Sequence, residues 1–193
     1  MSGLASGSPQ ALGETASKVA VWQGLVDGDP DVDAIHRFVF GAVFSFQKKE
    51  PIILNKGVYS PFNSQNTAWI NSVAFPLLYL PTTVTFRYTD ILRSYVALVI
   101  MEKLSLLLGF TAPTASQDRN EHDLLHDFRS EIPMYLTASA VIDSLRDSSS
   151  DGLSAGDNLL ACYQRLEEME VTTRDELPRL RSWLEDLAEL SPT

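Results

Sequence analysis

The chain has 193 residues, 45% of them hydrophobic and 21% charged, which is enough to bury one core and points to one domain, with or without an appendage. Asp and Glu outnumber Lys and Arg by 25 to 15, for a formal net charge of -10, which argues against nucleic acid or anionic lipid as a partner but leaves a local cationic spot open to an anionic ligand. The single cysteine, Cys162, excludes an internal disulfide and a cysteine-rich zinc site, and is compatible with either redox compartment.

Residues 1–18 are rich in Ser, Gly and Ala, carry neither a basic start nor a long apolar run, and read as a disordered segment rather than a signal peptide or anchor. Residues 19–26 form an apolar run closed by Asp27-Gly28-Asp29-Pro30, the pattern of a strand and turn. A helix is expected next, with Asp29 as N-cap, Pro30 in the first helical position, and Asp31 and Asp33 complementing the exposed N–H groups of the first turn. That role explains the metal-like spacing of Asp29, Asp31 and Asp33 more economically than an ion does. Residues 38–46 and 52–54 lean towards β structure, although the first could extend the helix by a turn. Residues 67–70 read as a strand, and residues 73–80 as a buried turn or short helix cut by Pro76 and Pro81.

Thr89 or Asp90 is expected to cap a helix over residues 91–108, apolar almost all round and so buried on most sides, with Gly109 as its stop. The apolar stretch 95–110 is broken by Glu102-Lys103 and is shorter than the roughly 20 residues that a bilayer requires. Beyond Pro113 only helices are expected. They cover residues 121–129, 132–145 with Pro133 near the start, 157–170 after a Ser/Asp/Gly linker, and 174–190 opened by the capping box Thr173-Arg174-Asp175-Glu176. The stripe Leu177, Leu180, Leu184 and Leu187 is expected to pack inward, with partner binding as the alternative.

Between the apolar segments lies a polar loop, Lys56-Gly57-Val58-Tyr59-Ser60-Pro61-Phe62-Asn63-Ser64-Gln65-Asn66-Thr67. Nearly every residue in it bends the backbone or carries a hydrogen-bonding head, so it reads as a binding loop or as a connector between two strands.

Four ordered blocks carry a family resemblance. They are Asp27-Gly28-Asp29-Pro30-Asp31-Val32-Asp33-Ala34, the polar loop itself, Arg87-Tyr88-Thr89-Asp90-Ile91-Leu92-Arg93-Ser94-Tyr95, and Asp118-Arg119-Asn120-Glu121-His122-Asp123-Leu124-Leu125 continuing to Phe128 and Glu131-Ile132-Pro133-Met134-Tyr135-Leu136. In this order they resemble the STELLO-like glycosyltransferases and, more distantly, the plant reversibly glycosylated polypeptides that include UDP-arabinopyranose mutases. The resemblance implies an α/β chain: a partial GT-A-like, Rossmann-like mixed sheet over residues 19–118, forming the C-terminal half of such a domain, and an α-helical extension over residues 119–193. It also implies a nucleotide-sugar donor, a glycan or protein acceptor, a divalent manganese or magnesium ion, and a Golgi or secretory setting. In GT-A enzymes the donor and its metal are held largely by an N-terminal half ending in paired aspartates. The chain reads as beginning after that point and without the family's anchor, as a fragment, an incomplete gene model or a shortened descendant would.

Asp90 is the candidate for acceptor-side catalysis, as the base that takes a proton from an acceptor hydroxyl, with Arg87 and Arg93 flanking it. A structural cap with flanking ion pairs fits the same residues. Lys56 is placed to meet a phosphate. Gly57, Ser60, Asn63, Ser64, Gln65 and Asn66 are candidates for contacts with sugar hydroxyls, and Arg87 and Arg93 complete the substrate-binding set. His122 and His126, spaced i, i+4 and joined by Asp123 or Asp127, have metal-binding geometry, and the resemblance singles out His122. Solvated surface histidines are the competing reading. The leading functional reading is thus a glycosyltransferase carrying the acceptor-side half of its site, followed by a non-catalytic interaction module and then a metal-dependent hydrolase. Homo- or hetero-oligomerisation stays open.

Overall fold

The computed structural model describes residues 18–41, 43–121 and 123–190. Strand β1 (Val19–Gly28) is the centre of a four-stranded mixed sheet with β2 (Ile52–Ile53), β3 (Thr67–Trp69) and β4 (Leu107–Gln117), in the order β2-β4-β1-β3. β1 runs parallel to β4 and antiparallel to β3, and β2 pairs antiparallel to β4. A parallel pair cannot be joined by a tight turn, and here the crossover includes helix α2 (Phe86–Lys103), which leads directly into β4. The result is a mixed α/β architecture with a partial Rossmann-like sheet.

Residues Leu92 to Met101 of α2 are buried without a break. The helix is covered by β4 on one side and by α3 (Leu124–Ser148) and α4 (Ala155–Glu168) on others. An all-round apolar surface requires that position in the middle of the layers. α5 (Glu176–Leu190) closes the end, docking on α4 and on the 3-10 segment Ser72–Leu78. Tyr79 meets Tyr163 edge-on at 5.4 Å, and Trp183 Nε1 donates to the Pro76 carbonyl at 3.0 Å. One hydrophobic cluster contains Val21 and Leu108 from the sheet together with Leu145 of α3, Cys162 and Leu166 of α4 and Leu180 of α5. Burial in that cluster pushes the Cys162 thiol up to about 12, so it stays protonated.

The strands around residues 19–26, 52–54 and 67–70 form where expected, as does the short helix over residues 73–80. The first helix differs. It is α1 (Ala34–Phe40), capped by Asp33, whose carboxylate accepts from His36 N at 2.9 Å. Asp29 instead pairs with Arg37 at 2.6 Å, and of the two alternatives for residues 38–40, strand or continued helix, the helix holds.

The long helix was expected over residues 91–108. It starts five residues earlier, behind Thr85, and ends at Lys103, where Ser105 takes a positive φ of 57° and reverses the chain. Gly109 is therefore not a helix stop but a strand residue opposite Trp22, where a Cβ would lie 2.3 Å from the indole ring. The expectation of helices alone beyond Pro113 fails for the same reason, because β4 runs on to Gln117. The two helices expected over residues 121–145 are one, with Pro133 inside it. The segment 1–17 and His122 lie outside the described residues.

Candidate functional site

The polar loop is held in place by a buried strand residue. Gln23 of β1 accepts from Asn63 N at 3.1 Å and Thr67 Oγ1 at 3.0 Å, and its amide donates to the Gly24 and Asn66 carbonyls. Asn63 Nδ2 donates to the Asp31 carbonyl at 3.1 Å, and Gln65 Oε1 accepts from Asp31 N at 3.0 Å. The loop is thereby fixed to the segment before α1 as one rigid turn.

Below the loop, Phe62 and Trp69 face the Arg93 guanidinium at 5.3 and 5.4 Å from their ring centres, and Arg93 Nη2 donates to Ser64 Oγ at 3.1 Å. Ser64 N in turn donates to Asp90 Oδ2 at 3.0 Å. Arg87, Asp90 and Arg93 are three residues apart on α2, so they follow one another along one side of the helix.

Arg87 turns the other way from Arg93. Its Nε and Nη2 donate to Glu131 Oε1 at 2.9 and 2.6 Å, and its Nη1 donates to Asp31 Oδ1 at 2.7 Å. Arg119 Nη1 reaches the same Asp31 oxygen at 2.7 Å. Burial pushes the Asp31 carboxyl up, but hydrogen bonds from Arg119 and Arg87 outweigh it and hold the group below the usual carboxylate range. Glu131 is fully buried and also accepts from Ala34 N and Tyr135 OH at 2.8 Å each. One carboxylate thus joins α1, α2 and α3.

These elements enclose a cavity of about 1200 Å³. Its walls include Asn63, Ser64 and Gln65 of the loop, Arg87 and Asp90 of α2, and Asp31 and Arg119. Burial raises the Asp90 carboxyl above its usual range. The Ser64 N–H opposes that, the neighbouring Asp31 charge adds to it, and Arg93 opposes it. Raised in this way, Asp90 is a better proton acceptor than a solvated aspartate while still fixed in direction by a backbone donor.

The loop residues and Asp90, more than twenty positions apart in sequence, therefore share one concave surface. Asp90 is not the helix cap expected from sequence, since α2 begins at Phe86 with Thr85 before it. Apart from His126, the remaining described candidates lie elsewhere. Lys56 and Gly57 line a separate, smaller hollow with Tyr59 and Glu102. Ser60 is half-buried, and Asn66 Nδ2 donates to the Leu25 carbonyl and to Thr114 Oγ1 at 3.0 and 2.9 Å. Arg93 supports the loop from beneath. His126 lines the cavity, and Asp123 caps α3 by accepting from Leu125 N and His126 N. Among the described residues, no three His, Cys, Asp or Glu side chains are grouped to hold a metal ion.

Sequence reasoning missed Gln23, Asp31, Arg119, Glu131 and Tyr135 as site residues. Asp31, Arg119, Glu131 and Tyr135 fall inside the blocks that carried the family resemblance, which was the available signal. No helix among the described residues is long and apolar enough to cross a membrane.

A family model described as STELLO glycosyltransferases matches residues 87–192. A protein of Arabidopsis thaliana named "Probable glycosyltransferase STELLO1" is 29% identical to the chain over 177 residues, covering 88% of this chain and 22% of that protein. The chain thus spans about a fifth of the length of this relative.

Proposed function

The chain belongs to the STELLO glycosyltransferase family, and from that membership and the cavity we propose that it carries the acceptor-side half of a glycosyltransferase site. The observation behind the reading is the convergence of Asn63, Ser64 and Gln65 with Asp90 and Arg87 on one cavity. In this proposal the donor is a nucleotide sugar, the fold a partial GT-A domain, and the setting the Golgi or secretory pathway. The acceptor is a glycan or a protein.

The chemistry follows from the positions. Asn63 and Gln65 orient sugar hydroxyls, and Asp90 accepts a proton from the hydroxyl to be glycosylated, so that its oxygen can attack the anomeric carbon as the nucleotide diphosphate departs. Ser64 N–H holds the carboxylate in line, and the Arg87 and Arg119 pairs with Asp31 fix the opposite wall. A manganese or magnesium ion belongs to the donor side in this proposal, and no step here passes through it. Family membership favours this reading over a non-catalytic interaction module.

Saturation-transfer NMR on the chain with a panel of oligosaccharides tests it. Saccharide signals are expected with the wild type and are weakened in Asn63→Ala and Gln65→Ala. Absence of any saccharide contact would overturn the reading.

A further inference from the structure

The acceptor reading leaves the class of sugar open, and the charge of the cavity narrows it. Its walls carry five carboxylates, Asp31, Asp33, Asp90, Asp127 and Glu131, against two guanidiniums, Arg87 and Arg119. Neither arginine offers its fork to a ligand. Arg87 directs Nε, Nη1 and Nη2 to Glu131, Asp31 and the Val32 carbonyl. Arg119 commits Nη1 to Asp31, and its Nε is sealed from solvent. Anion recognition by arginine depends on presenting two parallel N–H groups; Arg87 has all its nitrogens on Glu131, Asp31 and the Val32 carbonyl, and Arg119, with Nη1 on Asp31 and Nε buried, has no adjacent pair to present.

The rest of the wall suits an uncharged carbohydrate. Gln65, Gln117 and Asn120 supply amide heads for hydroxyls, while Ile91 and Met134 supply apolar surface for C–H faces.

Resting on the acceptor reading, we infer that this cavity selects by charge: it takes a neutral or amine-bearing saccharide and rejects one that carries carboxylate or phosphate. A uronate carboxylate placed among these walls meets like charges at close range with no free guanidinium to pair with. An ammonium group meets the opposite field.

Calorimetry on the full chain at low salt tests this with three probes of equal length: a neutral hexose trisaccharide, the amine-bearing trisaccharide and the uronate trisaccharide. The amine-bearing probe is expected to bind at least as tightly as the neutral one, and the uronate at least about tenfold more weakly, with the gap narrowing as ionic strength rises. Asp31→Asn removes one wall charge and loosens the Nη1 contacts of Arg87 and Arg119, while Glu131 still holds Arg87, and is expected to narrow the same gap. The ionic-strength series reads the same property on the unaltered chain should that variant fail to fold. A uronate that binds as tightly as the neutral sugar, an amine-bearing sugar that binds more weakly than it, or a gap unmoved by salt overturns the charge assignment and leaves the acceptor reading standing. Failure of all three probes to bind removes the acceptor reading and this inference with it.

Discussion

Replacing Arg87 with Met keeps a long side chain but removes the cation between two carboxylates. Glu131 is fully buried and loses both of its contacts with the guanidinium, at 2.9 and 2.6 Å. It keeps the donors from Ala34 N and Tyr135 OH, while Asp31 keeps Arg119. Removing one partner of a buried ion pair costs about 3–5 kcal/mol. The two remaining donors to Glu131 place the expected loss near the lower end, about 3 kcal/mol. For a chain of this size that corresponds to a fall in Tm of roughly 6–12 °C. Urea unfolding followed by circular dichroism measures the loss directly. Arg87→Met with Glu131→Gln should recover part of it, because the double variant no longer buries an unpaired carboxylate. A loss under about 1 kcal/mol, or no recovery in the double variant, would show that this network does not hold α1, α2 and α3 together.

Other substitutions test other parts of the account. Asp90→Asn should abolish any transfer activity yet leave Tm unchanged or higher at neutral pH. A carboxyl whose folded pKa is raised adds stability only below its unfolded pKa and costs stability once pH climbs through the folded one; a clear loss of Tm in thermal melts would contradict the assignment. Glu176 behaves oppositely. Burial pushes it up, but bonds from Thr83, Tyr79 and the Thr82 and Thr83 N–H groups outweigh that and lower it, so its contribution is present above the unfolded pKa and fades as pH falls. Glu176→Gln should flatten the acid limb of the stability profile in urea titrations run from pH 7 downwards, and an unchanged limb would argue against it. Gly109→Ala should cost about 1–3 kcal/mol in the same urea assay, because its Cβ would lie 2.3 Å from the Trp22 ring. A neutral result would mean that the indole swings away freely.

The strands around the loop were legible because each is a short apolar run bounded by Gly, Pro, Asn or Asp. The end of α2 was not. Leu106, Leu107 and Leu108 continue the apolar run of the helix, and a segment buried all round has no periodicity to separate helix from strand. The break lies at Ser105, a non-glycine with positive φ, whereas Gly109 offered the conventional stop signal and serves instead to admit Trp22.

The capping box at Thr173 was misleading in a similar way. Glu176 does not turn back to its own helix start but crosses to Thr82 and Thr83, accepting from their backbone N–H groups. Asp31 looked like first-turn chemistry and is the shared partner of two arginines. Pairings such as Arg87 with Glu131, 44 positions away, leave no mark on local spacing. What could be read locally was that the loop was unusually polar between two apolar segments, and its residues Asn63, Ser64 and Gln65 line the cavity with Arg87 and Asp90.

The central claim is that the loop and Asp90 form one sugar-binding surface. It is tested most directly by titrating the isotopically labelled chain with a neutral oligosaccharide and following backbone amide shifts by NMR. Saturable shifts are expected at Ser64, Gln65, Arg87, Asp90 and Tyr135, with Lys56 and Gly57 unmoved. Shifts confined to the hollow at Lys56 and Gly57, or to the exposed face of α5, would contradict it.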